Sequence, residues 1–369
     1  MGDAHLTIPE RELRDFMTEL LGRMDTPPAT AATVAALLVG ADLAGHTSHG
    51  VRQLHSRYAE EIAAGVIDPA AEPTVTPKSA HALQVDGQRA FGHLVGAAAT
   101  DAGIEVATDA GVALVSIANT AHIGRVGAFA EQAAAAGCAF IGLVANPASA
   151  YVAPPGSAQR RFSTNPICLG MPTFGGLAFP LIADLSTSQV AHGKIKERTV
   201  TGEALPTDWV VQAGGGDLRD ADAFEADGMG ALRPLGGATA GHKGYALAVL
   251  NEVFAAVMTG GSISGMDEIV FGNHALFVLI DPTTFAPRSL IADRARTIGR
   301  YIRETIVDPE VSLGAASDAG AGLLPGEPEH RARQRNERVG VSIPRGDATL
   351  LGALAADVGV APTEVPRGF

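Results

Sequence analysis

The stretch Val112–Val144, VALVSIANTAHIGRVGAFAEQAAAAGCAFIGLV, changes its apolar period twice. Val112–Ile117 alternates as a strand does, Gly127–Ala136 is a run of helix formers, and Ala139–Val144 returns to a strand pattern. Side chains alternate across a strand and recur every three or four residues along a helix, so this order reads strand, helix, strand. Upstream, an apolar strand at Ala82–Val85 and a helix at Gly92–Ala107 extend the alternation. The middle of the chain is therefore α/β, a sheet with helices packed on it.

Outward from this centre the texture changes. Helical patterns at Pro9–Arg23, Pro28–Leu43 and Val51–Ala64, the last closed by Gly65, predict a small helical unit at the N-terminus. Ile67–Lys78 reads as a linker or a crossing strand. Beyond the centre, Asn146–Phe179 is rich in Pro and Gly, and a loop of that length in a compact protein points to function. A strand at Phe179–Asp184 follows, then an irregular acidic excursion, Arg198–Arg233, around Trp209. A helix at Gly244–Met258, a buried strand at Ala275–Asp281 and a long helix at Ala292–Ile306 come next. A strand at Val339–Ile343 and a helix at Ala348–Asp357 close the chain.

The 369 residues carry 46% hydrophobic and 18% charged side chains, the composition of a well-buried globular protein. A net charge of -13 argues against a nucleic-acid surface, which needs clustered Lys and Arg. No apolar run approaches membrane-spanning length, and the opening MGDAHLTIPERE lacks the basic start and apolar core of a secretory signal. The only cysteines, Cys138 and Cys168, stand in apolar contexts without zinc-site spacing. A cytoplasmic protein working on small molecules is the expectation.

Five short stretches concentrate chemistry. GHTSHGVR, Gly45–Arg52, ends the second helix with two histidines, a serine and an arginine; it reads either as a proton-transfer site or as cations suited to a helix C-terminus. ANTAHIG, Ala118–Gly124, places His122 just past a strand's carboxyl end, where α/β sheets bind ligands, or simply caps the next helix with it. STNP with DLSTS sets Thr164, Asn165, Pro166 and Asp184–Ser188 where they could bond a ribose or phosphate, or serve as turns. GHKGYALA puts Lys243 between glycines at a predicted helix start, an anion site or a plain N-terminus. LLPGEPEHR, Leu323–Arg331, is a turn carrying acids. Neither G-x-G-x-x-G after a strand nor GxxxxGK[ST] occurs, so a doubly wound dinucleotide domain and a phosphate-loop hydrolase are both excluded.

In their order and separations, GHTSHGVR, NTAHIG, STNP, DLSTS, GHKGYALA and PGEPE resemble the signature of the malate/L-lactate dehydrogenase family of type 2, over about Leu13–Ala348. That family includes sulfolactate, ureidoglycolate and diketogulonate enzymes and cyclic-imine reductases. The resemblance implies a mixed-sheet domain outside the doubly wound class, binding NAD or NADP, over residues 76–289. It also implies a helical domain over residues 1–75, completed by about 290–369, and a homodimer with the site in the cleft between the two parts. Carried over, Ser48 and His49 match the proton-transfer pair, with Asp184 the associated acid, and His122 matches a histidine that some members use as proton acceptor. Arg52 matches an arginine that grips the substrate carboxylate. Asn146, Asp184, Leu185, Ser186, Lys243, Pro325, Gly326 and Glu327 match cofactor contacts. Asn146 stands where some relatives have serine, and Arg198–Arg233 is longer than usual.

The implied reaction is hydride transfer between a nicotinamide and a small 2-hydroxy acid or a related cyclic imino acid, with no metal. A rival reading takes Asp42, His46 and His49, at i, i+4 and i+7, as ligands of a metal-dependent hydrolase or lyase. Gly45 and Gly50, which suggest that the helix stops there, argue against it.

Overall fold

A computed structural model describes residues 5–226, 228–268, 272–305 and 322–369. Its first part is helical. β1 (His5–Ile8) leads into α1 (Glu10–Gly22), whose acids Glu10 and Glu12 suit the positive end of the helix and whose Leu13, Phe16, Met17, Leu20 and Leu21 face inward. α2 (Pro28–Leu43) starts on a proline, which has no N–H to waste at a first turn. The expected third helix is not regular: Leu54–Tyr58 forms a π-turn before a short α3 (Ala59–Ala63).

The central part begins with β2 (Thr74–Pro77), β3 (Ala82–Asp86), α4 (Gly92–Ala110), β4 (Val112–Thr120), α5 (Gly127–Ala135) and β5 (Ala139–Ala145). β6 (Ile167–Met171) and β7 (Leu181–Leu185) follow the Pro/Gly-rich loop. α6 (His192–Thr201), β8 (Val210–Val211), α7 (Ala221–Glu225) and β9 (Ala231–Leu232) make up the excursion, which closes over an apolar cluster of its own containing Ile195, Trp209 and Phe224. α8 (Gly237–Thr259), β10 (Asn273–Ile280), α9 (Arg288–Arg303), α10 (Glu327–Val339), β11 (Val341–Pro344) and α11 (Arg345–Asp357) complete the described chain. Of the predicted helix Ala292–Ile306, the last residue lies outside the described residues.

The seven-stranded sheet has the order β2-β3-β4-β10-β5-β6-β7, and only β3 and β4 run parallel. β10 lies between β4 and β5, antiparallel to both. Those two strands therefore share a direction, as a strand-helix-strand unit requires, with a strand from far along the chain inserted between them. Phe129 on α5, Phe140 on β5 and Phe277 on β10 meet in the core under the sheet, with Phe277 ring-centre distances of 5.6 and 4.9 Å to the other two. A Cβ at Gly96 would overlap the Phe129 ring, so glycine is what lets α4 approach α5.

The two chain ends meet. β1 pairs antiparallel with β11, Ile8 opposite Val341, and Leu13, Phe16 and Leu38 share one apolar cluster with Ile343 and Leu351. α9 lies elsewhere, with Ala292 and Gly299 against Gly176 and Leu177 of the loop between β6 and β7. No described helix is long and apolar enough to cross a membrane.

Candidate active site

α2 ends at Leu43, and Gly45, at φ 84°, turns the chain out of the helix into a 3-10 turn, Thr47–His49. The turn is pinned from below. The buried Asp42 carboxyl accepts a hydrogen bond from Val51 N at 2.8 Å, and a Cβ at Gly50 would overlap that carboxyl, so glycine is required there. Burial, chiefly, raises the Asp42 pKa to about 8, with Asp347 adding to the rise and the Val51 bond and Arg52 opposing it.

On this turn Ser48 Oγ lies 3.0 Å from His49 Nδ1. The His49 ring stacks on His122, centroids 5.6 Å apart and planes inclined by 21°, so the helical part and the β4 end of the sheet each supply one imidazole. The His122 loop is fixed by Asn273, whose Oδ1 accepts from Ile123 N at 2.8 Å and whose Nδ2 donates to Ala145 O. His122 Nδ1 is 2.7 Å from the hydroxyl of Tyr58, and His93 packs edge-on against the Tyr58 ring at 5.6 Å. Burial lowers all three imidazoles: His49 to about 4, His93 to about 3 and His122 well below its ordinary value, with the Arg57 charge adding to the effect at His49 and His122. All three are neutral at pH 7.

α6 closes over the cluster from the excursion, close enough that a Cβ at Gly193 would overlap Ser48. Arg57 lowers both His49 and His122 by its charge, and Arg125 also lowers His49. Arg52, the arginine expected at the substrate, lies 3.7 Å from the Asp347 carboxylate on α11, which His55 also reaches at 3.0 Å. His46 turns away to Glu329 on α10 at 3.1 Å.

Asp184 accepts from Gly127 N at 2.7 Å, capping α5, and no hydrogen bond joins it to Ser48 or His49. Burial raises its pKa against the Gly127 bond and the Arg125 charge. Asp184 and Gly326 both line a cavity of about 530 Å³ with Arg125, Arg333 and Phe179. Pro325 O accepts from Ile182 N at 3.3 Å, so the PGE turn and β7, far apart in sequence, stand side by side. Leu185 is exposed at the end of β7 and Ser186 donates to Ser188 O. Asn146 holds Ser149 through Nδ2 at 3.2 Å and leaves its buried Oδ1 without a protein partner.

The STNP stretch sits deeper than its motif suggests. Asn165 is fully buried and donates to Glu252 at 2.9 Å and to Ala248 O, both on α8, while Asn251 donates to Asn165 O and Pro166 O. Thr164 contributes its carbonyl to Thr187. Lys243 is exposed on α8, which begins at Gly237 instead of the predicted Gly244 and is kinked at Ala240. Asp42, His46 and His49 do not converge on a metal position: their partners are Val51, Glu329 and Ser48. Among the described residues no group of three or more His, Cys, Asp or Glu could hold a metal ion. The residues that motif reading missed are Tyr58, His93, Arg57 and Asn273; only Tyr58 and Arg57, in LHSRY directly after GHTSHGVRQ, left a signal near a motif.

Stacked imidazoles where the helical part meets β4, together with a separate cavity on the Asp184 and Gly326 side that lies within the size range of ligand sites, suit an enzyme that moves protons next to a bound small molecule. The profile of the malate/L-lactate dehydrogenase family matches residues 8–351, and the chain belongs to that family as an oxidoreductase acting on CH–OH groups. It is 28% identical over 362 residues to hydroxycarboxylate dehydrogenase B of Escherichia coli (strain K12), covering 97% of this chain and 95% of that one. It is 30% identical over 358 residues to the Δ1-pyrroline-2-carboxylate/Δ1-piperideine-2-carboxylate reductase of Pseudomonas syringae pv. tomato, 95% and 96% of the two chains. The structure of malate dehydrogenase from Pyrococcus horikoshii superposes with a TM-score of 0.85 at 26% identity, covering 98% and 97%. These matches leave the hydrolase reading without support.

Proposed function

We propose that the protein is an NAD- or NADP-dependent dehydrogenase of a small 2-hydroxy acid, or a reductase of the matching 2-keto acid or cyclic imino acid. The observation that carries this reading is the pair of neutral imidazoles, His49 and His122, stacked 5.6 Å apart where the helical part meets the sheet. In oxidation, the carbon bearing the hydroxyl gives up a hydride and its oxygen gives up a proton; the products are the keto acid, reduced nicotinamide and one proton.

The residues present fit such a cofactor. The 530 Å³ cavity, lined by Asp184, Gly326, Arg125 and Arg333, lies within the range of ligand sites, and outside that lining the unpartnered Oδ1 of Asn146 offers a further acceptor. Asn146, Asp184–Ser186 and Pro325–Glu327 would hold it, with Arg125 and Arg333 offering charge to phosphate and Lys243 reached from α8. When bound, the nicotinamide supplies the hydride acceptor. The chain's own residues hold the substrate and move its proton: Ser48 orients His49, and Arg52 or Arg57 grips the carboxylate.

A division into a helical domain (1–75 with about 290–369) and a sheet domain (76–289) is supported by the shared core of the chain ends, with α9 packed on the sheet side of that line. A homodimer is supported by α8, whose Leu247, Leu250, Val253, Phe254, Val257 and Met258 form an exposed apolar stripe at helical spacing. The free, buried Cys138 and Cys168 support a reducing, cytoplasmic setting.

The test is a panel of 2-keto acids and cyclic imines assayed with NADH and NADPH by loss of reduced-nicotinamide absorbance. Turnover that survives chelation and falls ~100-fold or more in His49→Ala, with an unchanged circular dichroism spectrum, is the expected result. Silence across the panel, or full activity of His49→Ala, refutes the reading.

A further inference from the structure

Two imidazoles face one site, and each has its Nδ1 engaged by a hydroxyl. The hydroxyls differ in what they can do. Tyr58 ends the π-turn with its side chain 1% exposed, between Phe91 (ring centres 6.3 Å apart, planes at 86°) and His93 (5.6 Å, 83°). Glycines tighten this clamp: a Cβ at Gly124 would overlap the His93 ring, and one at Gly92 the His122 carbonyl. The phenol is thus held at 2.7 Å from His122 Nδ1, its one hydrogen-bond partner among the described residues.

A buried O–H that donates to nothing costs about 1–3 kcal/mol, so the phenolic proton points at Nδ1. Burial also pushes the phenol's pKa upward, which keeps it protonated. An Nδ1 that accepts leaves the single proton of a neutral ring on Nε2. Ser48 is under no such constraint. Half-buried, it can turn its own proton outward and accept from His49 Nδ1–H, which leaves His49 Nε2 with a free lone pair.

We propose that Tyr58 is a positioning residue that locks His122 as the Nε2–H tautomer, so that His122 holds the substrate oxygen as a hydrogen-bond donor while His49 alone moves the proton. This rests on the oxidoreductase reading above and assigns opposite roles to two histidines that motif reading leaves equal. In oxidation, the O–H bond breaks and its proton passes to His49 Nε2. The C–H bond breaks and its electron pair leaves as hydride to the nicotinamide, while the oxygen becomes a carbonyl. His122 keeps its proton throughout, donating to the same oxygen in both directions.

The proposal is tested without any substrate by nitrogen-15 NMR of histidine-labelled protein at pH 8, the His122 signals being assigned by their loss in His122→Gln. The expected spectrum has His122 Nδ1 in the unprotonated range and Nε2 in the protonated range; the reverse pattern, or two averaged signals, overturns the proposal. Tyr58→Phe, which keeps the ring packing, is expected to average the two His122 signals. It should also lower kcat roughly 10- to 100-fold while KM moves less than about threefold, as one lost hydrogen bond to a substrate-holding group would do. An unchanged tautomer and unchanged kcat in Tyr58→Phe overturn the proposal as well. If no substrate turns over, the NMR still decides the role of Tyr58, and the silence counts against the oxidoreductase reading alone.

Discussion

Arg52 and Arg57 lie within one short stretch of sequence and face different neighbours. Arg52 is held near Asp347, which also takes His55, and it acts on buried Asp42 by its charge. Arg57 is bonded to Glu61 at 2.6 Å, and its charge is felt at His49, His122 and Tyr58. Of these two arginines, Arg57 is therefore the one whose field reaches a carboxylate bound beside the imidazoles. We expect Arg57→Gln to raise KM for the keto acid roughly tenfold or more and Arg52→Gln to raise it less, since a charge-assisted bond is worth about 1.5–3 kcal/mol. Steady-state kinetics of the two variants check this, and a larger KM effect in Arg52→Gln would return the carboxylate to the arginine expected from the motif. The same contrast shows how far single residues are legible. Ser48, His49 and His122 are readable because their chemistry is crowded into short motifs next to element ends. Tyr58 and His93 are ordinary core residues by sequence and acquire meaning only through what touches them. Asn165 misleads in the other direction: its motif suggests a ligand, while its buried amide ties the segment leading into β6 to α8.

At the scale of elements, the strand-helix-strand unit β4-α5-β5 follows its apolar periods, to within a residue at α5 and β5, while β4 runs three residues past the predicted Ile117 to Thr120. Local periodicity carries no information on pairing partners, and the strand that fills the space between β4 and β5 comes from residue 273 onward. The π-turn Leu54–Tyr58 is equally silent in sequence, because an extra residue in a turn changes direction without changing composition. α8 shows a third limit. Gly236 and Gly237, both at positive φ, and the kink at Ala240 obscure its first turns, so its period becomes clear only from Gly244. Once placed, the helix shows apolar residues on two faces. The inward set, including Ala248, Ala255 and Ala256, packs on the sheet, and the outward set from Leu247 to Met258 faces solvent in a single chain. A stripe of six large apolar side chains is more than an isolated surface helix normally exposes. We expect Leu250→Asp combined with Val257→Asp to convert a homodimer to monomer in size-exclusion chromatography with light scattering, without loss of helix content. A wild-type protein that is monomeric at micromolar concentration, or a double variant that stays dimeric, refutes α8 as the interface.

For the whole molecule, the imidazole cluster that serves the site has a consequence for stability. His93 is buried, His49 and His122 are half-buried, all three have folded pKa values below the ordinary 6.5, and both ring nitrogens of His93 lack partners. A group whose folded pKa is depressed binds its proton more weakly when folded, so its stabilising contribution is present above the unfolded pKa and is lost as pH falls. For His49 the loss runs from about 6.5 down to about 4, and for His93 down to about 3. The lowered carboxyls of Glu327 and Glu329 add to the loss at still lower pH. Asp42 works in the opposite sense. Its raised pKa gives a contribution that is complete below the ordinary carboxyl range and disappears as pH climbs through about 8, so it offsets part of the acid loss and weakens the fold in alkali. Asp184, also raised by burial, acts in the same sense as Asp42, so stability should peak near neutrality and fall on both sides, more steeply on the acid side because three imidazoles outnumber two carboxyls. His93 isolates the effect, since it touches no substrate and sits behind Tyr58. At about 1.4 kcal/mol per pKa unit, protonating it accounts for about 3 kcal/mol of the stability lost between pH 7 and pH 4. Denaturant unfolding of wild type and His93→Gln across that range should show the variant losing about 3 kcal/mol less. Parallel curves for the two proteins would mean that His93 keeps an ordinary pKa in the folded state and that the cluster is wetter than its packing implies.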